Sequence, residues 1–222
     1  MPEIMLVRHA QASFGKSDYD VLSELGHQQA FALGQSLAER ATARPDKIYI
    51  GAQRRHRETL EGLAAGFGLD PSSAIVHDGL NEFNAGELIA ARYGSEDLPA
   101  DVRGDRRLYF RALRDVVLAW QRDEIDNPPE SWRDFSSRVL RARDAMIAEK
   151  GRVLAVSSGG AISRMIVSVL DAPAPQMISL QLQMRNCAVS TLVGSANGMF
   201  LHAFNEVPYL RSQADERLMT YA

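Results

Sequence analysis

The sequence predicts a three-layer α/β/α sandwich with a mostly parallel central sheet and a helical insertion. Short apolar segments alternate with longer segments that repeat apolar residues at helical spacing, which is the pattern of strands joined by helices. The chain has 222 residues, of which 45% are hydrophobic, so it is long enough to bury a substantial core. We therefore expect one domain over residues 1–222, with a helical cap at about residues 90–130.

The first half of the chain contains three predicted strands and two predicted helices. The strands are apolar runs at Ile4–Val7, Lys47–Ile50 and Ala74–His77. The helices are at Leu22–Arg40 and Arg54–Ala65. Ser23 is the predicted N-cap of the first helix, because a serine hydroxyl can accept a hydrogen bond from a free backbone N–H there.

The pattern changes between Ala90 and Pro129, where an arginine-rich helical segment is bounded by glycine and proline residues. We interpret this segment as an insertion or cap. The elements after it are a helix at Ser131–Lys150, a strand at Arg152–Val156, a helix at Gly160–Leu170, and a closing hairpin of Cys187–Leu192 with Met199–Phe204. Strands that alternate with helices in this way place helices on both faces of the sheet.

The composition argues against several classes of protein. A formal net charge of −3 does not suit a general nucleic-acid or anionic-membrane surface. The apolar run before Arg8 is too short for a signal peptide, and no run approaches the roughly 18 apolar residues that a membrane span needs. Cys187 is the single cysteine, so no internal disulfide can form. We expect a cytoplasmic protein that binds neither nucleic acid nor membrane, and the sequence makes no prediction of its oligomeric state.

Polar side chains follow four of the apolar segments, at the place where ligands bind in α/β folds. In chain order they are Arg8 with His9, Arg54 with Arg55, Glu82, and Ser157 with Ser158. Arginine presents a fork of donors to phosphate oxygens, neutral histidine can attack phosphorus, and a carboxylic acid can protonate a leaving alkoxide. The set predicts a site that binds an anion and performs nucleophilic or acid–base chemistry.

The stretch RVLAVSSGGAIS, residues 152–163, leads from a strand into paired glycines at the start of a helix. Free backbone N–H groups and the helix dipole converge at such a turn and favour an anion there. Ser157 or Ser158 could be a nucleophile, a phosphate ligand, an N-cap, or a substitute for a residue that active enzymes have. The interpretation as a serine hydrolase is poor, because the stretch lacks the G-x-S-x-G elbow.

Five motifs, in order along the chain, resemble those of the histidine phosphatase superfamily, also called the phosphoglycerate mutase-like fold. They are LVRHA, LSELGHQQAFALG, GAQRRHRETL, LNEFNAGE, and the closing pair RNCAVSTL and FNEVPYL. The resemblance covers nearly the whole chain and is weakest in the insertion. It implies that His9 is the nucleophile that accepts the phosphoryl group and that Glu82 protonates the leaving group. Arg8 and Arg55 would hold the phosphoryl oxygens, and neither a metal ion nor a cofactor is implied.

The chain departs from the family at the Gly-Gly turn. Members usually carry Ser-His-Gly-Gly there and donate a second histidine to the phosphate, whereas this chain has Ser158 before Gly159. We expect Ser158 to point its hydroxyl into the pocket as a neutral donor, with Gly159 also binding the phosphate and Ser157 supporting the turn. The remaining histidines stand at no matching position: His27, His56, His77 and His202.

Plainer interpretations stay open for several of these residues. Arg55 could pair with Glu58 or Glu61 on its own helix. Three neighbours on that helix are expected on a solvated face: Arg54, His56 and Arg57. Glu87 is a rival to Glu82 as the acid.

The insertion contains a cluster of arginines: Arg103, Arg106, Arg107, Arg111 and Arg114. By default they form a solvated helix face with nearby aspartates as partners. The alternative is that one or two of them overhang the pocket and select an anionic substrate.

The function that follows is a metal-independent phosphomonoester hydrolase that acts on a small phosphorylated substrate through a phosphohistidine. Mutase activity is less favoured, because the stretch RHAQASFG lacks the Gly-Glu-Ser and Trp-Asn continuation of the glycolytic enzymes. The alternative from another class is a pseudoenzyme that binds a phosphorylated ligand or protein without turnover. Ser158 favours the pseudoenzyme, and the complete set of nucleophile, arginines and acid favours catalysis.

Overall fold

The computed structural model describes residues 1–13, 20–94 and 106–221. Within them, the strands are β1 Glu3–Arg8, β2 Lys47–Ile50, β3 Ile75–Val76, β4 Arg152–Ser157, β5 Val189–Ser195 and β6 Gly198–Glu206. The helices are α1 Glu24–Glu39, α2 Arg54–Phe67, α3 Ala85–Tyr93, α4 Arg106–Gln121, α5 Trp132–Ala148, α6 Gly159–Val169 and α7 Gln176–Gln181. Short 3₁₀ turns occur at Pro71–Ser73, Asp78–Leu80 and Gln213–Leu218.

These strands form one sheet in the order β3-β2-β4-β1-β5-β6. β1, β2, β3 and β4 pair in parallel, whereas β5 and β6 extend the sheet with antiparallel pairing. Parallel neighbours need crossover connections, and the helices between the strands supply them. The prediction of a mostly parallel sheet that ends in a hairpin is confirmed.

The side chains of the central strands are buried on both faces of the sheet, because helices cover both faces. Ile4 and Leu6 of β1 enter a core formed with α4, α5 and α6, while Val7 enters a second core formed with α1 and α2. Trp120 of α4 and Phe135 of α5 pack in the first core, with ring centroids 5.3 Å apart. The predicted three-layer sandwich is confirmed, and the helix of the predicted insertion contributes to its main core.

Two helices differ from the sequence prediction. α3 begins at Ala85, ahead of the predicted insertion, where the Asn84 side chain caps it. α7 has no counterpart among the predicted elements, because six residues are too few to reveal helical periodicity. The Ser23 cap is confirmed, since its hydroxyl accepts a hydrogen bond from the N–H of Gly26 at 3.0 Å. Among the described residues, no helix has the length and apolarity to cross a membrane.

The carboxyl ends of β1, β4 and β2 meet at one edge of the sheet. Arg8 at the end of β1 pairs with Ser157 at the end of β4, and Ile50 at the end of β2 pairs with Val156. Ligands of open α/β sheets bind at this edge. All of the predicted site residues except Glu82 lie at the ends of these three strands or within a few residues after them, so the fold itself gathers them.

Candidate active site

A cavity of about 520 Å³ opens at the carboxyl edge of the sheet. Four of the predicted site residues line it: Arg8, His9, Arg55 and Glu82. They come from separate parts of the sequence, because the ends of β1 and β2 and the loop before α3 converge there. The other two predicted site residues, Ser158 and Gly159, are buried and lie outside the cavity lining.

His9 is fixed at the end of β1. Its backbone N–H donates to the carbonyl oxygen of Ser157 at 2.9 Å. Ring atom Nδ1 lies 2.8 Å from the carbonyl oxygen of Ala10, which can only accept, so Nδ1 carries the proton and Nε2 keeps its lone pair. Burial, followed by the charges of Arg55 and Arg8, holds the pKa of His9 well below its usual range. The ring is therefore neutral at physiological pH, and Nε2 can act as a nucleophile.

Two buried guanidinium groups, those of Arg8 and Arg55, give the cavity its positive charge. Arg8 is 4% exposed and donates through Nη1 to the carbonyl oxygen of Met184. Arg55 is 6% exposed and lies on the first turn of α2. Guanidinium groups stay protonated even when they are buried, so both charges persist beside the imidazole of His9.

Asp20 lines the cavity, although no sequence motif indicates it as a site residue. Its Oδ1 accepts from Nη1 of Arg55 at 3.0 Å, and its Oδ2 accepts from the backbone N–H of Arg54 at 2.7 Å. Asp20 is thus the carboxylate paired with Arg55, whereas Glu58 accepts from Nε of Arg54. A phosphate that binds Arg55 has to share that guanidinium with Asp20 or displace it.

The carboxyl group of Glu82 lies against the first turn of α6. Its Oε2 accepts from the backbone N–H of Gly160 at 2.9 Å, and its Oε1 lies 3.3 Å from the N–H of Phe83. A Cβ atom at position 160 would stand 2.2 Å from Oε1, so glycine is required for this approach. Burial raises the pKa of Glu82, although the N–H of Gly160 and the charges of Arg55 and Arg8 oppose the rise. A carboxyl group with a raised pKa is suited to proton donation.

The helix N-terminus predicted as an anion seat therefore binds a side chain of the protein itself. α6 begins at Gly159, and the N–H of Gly160 in its first turn is bound by Glu82. Gly159 lies against the side chains of Gln181 and Arg8, and its phosphate-binding role stays a prediction. Glu87, the rival acid, is exposed on α3 and lies outside the cavity lining.

The predicted solvated position of His56 is wrong. His56 is completely buried, and its Nε2 lies 2.7 Å from Oγ of Ser158. Its ring centroid is 5.8 Å from that of His9. Helical spacing contains the signal for this burial, because His56 lies four residues before Leu60 and seven before Leu63 on the apolar stripe of α2.

The hydroxyl of Ser158 contacts His56, and the residue lies outside the cavity lining, whereas the sequence motif predicts that this hydroxyl points into the pocket. The residue occupies the N-cap position of α6, but its side chain makes no capping hydrogen bond. Ser157 donates through Oγ to the carbonyl oxygen of Leu80 at 2.7 Å. This bond joins β4 to the 3₁₀ turn that precedes Glu82, and the support of the Gly-Gly turn by Ser157 stays a prediction.

The outer wall of the cavity is largely apolar. α4 contributes Tyr109, Phe110 and Leu113, and the loop before α3 contributes Phe83. The predicted insertion therefore does overhang the pocket, but it does so with aromatic and aliphatic side chains. Such a wall can contact the apolar part of an organic ligand.

The arginines of the insertion face solvent where the structure describes them. Three are exposed and lie outside the cavity lining: Arg107, Arg111 and Arg114. Arg114 lies 3.9 Å from the carboxylate of Asp115, as expected for a solvated face. Arg103 and the side chain of Arg106, together with the rest of residues 95–105, lie outside the described residues.

Metal-binding clusters and the thiol of Cys187 are two other potential sources of reactivity. Within the described ranges, no group of three or more His, Cys, Asp or Glu side chains is arranged to hold a metal ion. Cys187 is buried, and burial raises the pKa of its thiol, which makes that thiol a poor nucleophile. Among the described residues, the cavity lining offers one imidazole, two carboxyl groups and two guanidinium groups.

The chain is similar to phosphoglycerate mutases and to solved phosphatases. It is 26% identical over 232 residues to a probable phosphoglycerate mutase GpmB from Erwinia tasmaniensis, across 98% of this chain and 99% of that protein. It is 27% identical over 180 residues to a 2,3-bisphosphoglycerate-dependent phosphoglycerate mutase from Chelativorans sp., across 76% and 81%. The structure of mycobacterial glucosyl-3-phosphoglycerate phosphatase with inorganic phosphate matches with a TM-score of 0.66 at 22% identity, across 95% of this chain and 100% of that chain.

A profile of the histidine phosphatase superfamily, branch 1, matches residues 4–207. The match runs from β1 through β6 and contains all of the predicted site residues. The resemblance drawn from the sequence motifs is confirmed, while the substitution of Ser158 for a second histidine stays a prediction. The chain belongs to the histidine phosphatase superfamily, branch 1.

Proposed function

We propose that the protein is a phosphomonoester hydrolase that acts through a phosphohistidine at His9 and needs no metal ion. One observation carries the proposal: a neutral imidazole, two buried guanidinium groups and a carboxyl group with a raised pKa line one cavity. These groups supply a nucleophile, charge stabilisation and an acid, which are the requirements of phosphoryl transfer. The relatives named above, which are mutases and a phosphatase, support an enzyme of this kind.

The proposed reaction has two steps. In the first, Nε2 of His9 attacks phosphorus, the bond between phosphorus and the ester oxygen breaks, and the Glu82 proton passes to the leaving alkoxide. Arg8 and Arg55 stabilise the charge on the non-bridging oxygens throughout. In the second, the Glu82 carboxylate takes a proton from water, whose oxygen attacks phosphorus as the nitrogen–phosphorus bond breaks. The products are an alcohol and inorganic phosphate, and His9 and Glu82 return to their starting states.

The cavity lining favours a substrate that has one phosphoryl group and an apolar organic group. Among the described residues that line the cavity, cationic side chains occur only at Arg8 and Arg55, which suits one phosphate. The α4 wall offers Tyr109, Phe110 and Leu113 for apolar contact. This combination supports hydrolysis of a monoester over a mutase reaction on a bisphosphorylated compound.

A second candidate is a protein that binds a phosphorylated ligand without turnover. Ser158 favours it, because its hydroxyl is directed to His56 and the residue lies outside the cavity lining. The positions of His9 and Glu82 favour catalysis, because phosphate binding alone requires neither a nucleophile with a lone pair nor a proton donor.

A panel of alkyl and aryl phosphomonoesters tests the proposal, with wild type and His9→Ala assayed with and without a chelator. We expect turnover by the wild type that survives the chelator and is absent in His9→Ala. Turnover that persists in His9→Ala would refute the histidine mechanism. Phosphate binding without turnover in the wild type would favour the second candidate.

A further inference from the structure

Gln53 lines the cavity together with Arg8, His9 and Arg55, and no motif in the sequence singles it out. It immediately precedes α2, and its Oε1 accepts from the backbone N–H of Glu82 at 3.0 Å. A backbone N–H can only donate, so the oxygen of the amide must face it. The Nε2 group, with its two protons, is the other arm of the amide and is turned away from the Glu82 backbone.

Ser158 and His56 lie behind Gln53. Oγ of Ser158 is 2.7 Å from Nε2 of His56 and 3.5 Å from Oε1 of Gln53. Oγ of Ser158 therefore bridges the ring of His56 and the amide of Gln53, and its shorter contact is with the ring. The three side chains form a connected series from His56 through Ser158 to the amide of Gln53.

His56 is suited to anchor this series because it is neutral and confined. Burial, followed by the charge of Arg55, lowers the pKa of His56 to about 3, so the ring carries no charge at physiological pH. A Cβ atom at position 51 would stand 2.2 Å from Nδ1, so the ring lies directly against the backbone of Gly51. A confined neutral ring can fix the hydroxyl of Ser158 without adding charge beside His9.

We propose that Gln53 donates a hydrogen bond from Nε2 to a phosphoryl oxygen in the cavity, and that Ser158 and His56 are positioning residues for its amide. The proposal rests on the proposed function, because it requires phosphate to bind at Arg8 and Arg55. It moves the neutral donor from the serine hydroxyl, where the sequence places it, to the glutamine amide. The amide of Gln53, held in this way, adds a hydrogen-bond donor to the phosphate site without adding a group that titrates.

Gln53→Glu is the most direct test, because it keeps an oxygen for the N–H of Glu82 and replaces the amide donor with an anionic oxygen. Titration calorimetry with inorganic phosphate should show a dissociation constant raised about tenfold or more at neutral pH. The defect relative to wild type should shrink as the pH falls toward about 4.3, the ordinary pKa of glutamate, because a protonated carboxyl group can again donate. Thermal unfolding checks that the variant is folded.

The positioning role is tested by a double-mutant cycle. Ser158→Ala should raise the dissociation constant for phosphate about threefold to tenfold in the wild-type background. It should have no further effect in the Gln53→Ala background, because no amide is left to position. Ser163→Ala is the matched control, since Ser163 is a buried serine on α6 that lies outside the cavity lining, and the phosphate affinity of this variant should equal that of the wild type.

The outcomes separate this inference from the proposed function. If the wild type binds phosphate and Gln53→Glu binds it equally well, the inference is overturned and the proposed function stands. Equal effects of Ser158→Ala in both backgrounds would overturn the positioning role. Wild type that binds no phosphate would overturn both proposals.

Discussion

Gly160→Ala should disable the Glu82 acid without changing any reactive group. The added Cβ atom would stand 2.2 Å from Oε1 of Glu82 and 2.7 Å from the Phe83 ring, whereas ordinary contact begins at 3.4 Å. The carboxyl group must therefore move by about 1 Å, and a misplacement of that size costs about 10²-fold in rate. We expect a loss of about 10²-fold on alkyl phosphates, which is about 2.7 kcal/mol of transition-state stabilisation.

The assay compares initial rates on an alkyl phosphate and on p-nitrophenyl phosphate. An alkoxide leaving group needs a proton, whereas nitrophenolate leaves without one, so the loss should be confined largely to the alkyl substrate. Gly86→Ala is the matched control: Gly86 also lines the cavity, and its added Cβ atom would meet only Oδ1 of Asn84, at 3.6 Å. Its rates should stay within about twofold of wild type. Unchanged rates in Gly160→Ala, or equal losses on both substrates, would refute the assignment of Glu82 as the acid.

Three further predictions concern pH and the cavity wall. Because the pKa of Glu82 is raised, wild-type turnover of alkyl phosphates should fall as the pH rises through that pKa, and Glu82→Gln should lack this limb in its pH–rate profile. The folded-state pKa of His56 is about 3 against 6.5 unfolded, so the protein loses stability as the pH falls through this interval. As the pH falls through this interval, the free energy of unfolding of His56→Gln, measured with denaturant, should decrease less than that of the wild type, by about 1.4 kcal/mol per pH unit. An equal decrease in both proteins would contradict the burial of a neutral ring. Phe110→Ala should raise KM for an aryl phosphate about threefold to tenfold while leaving phosphate affinity unchanged, and an equal effect on both would contradict an apolar subsite.

The sheet and the core of the site could be predicted because both depend on local sequence. A buried strand is a continuous apolar run, and a residue that follows such a run lies at the carboxyl edge whatever the rest of the chain does. Arg8 is the last residue of β1 and His9 directly follows it, and Arg55 lies just beyond the short loop that follows β2. Their convergence in one cavity needed only the parallel pairing of the strands.

The remaining features depend on contacts between distant segments. Asp20 and Gln53 reach the cavity through single side-chain orientations that no local pattern encodes. The exposed arginines of the insertion are a different case, because the apolar stripe of α4 decides which face turns inward. Leu113 and Val116 belong to that stripe, so the arginines between its members are left on the outer face.

The central claim is that His9 carries the phosphoryl group during turnover, and rapid alkaline quenching with a ³²P-labelled aryl phosphate tests it most directly. Digestion and mass spectrometry of the quenched protein should locate an acid-labile phosphate on His9, formed at least as fast as steady-state turnover. The label should be absent from His9→Ala. Steady hydrolysis by the wild type with no phosphate on His9 at any quench time would contradict the account.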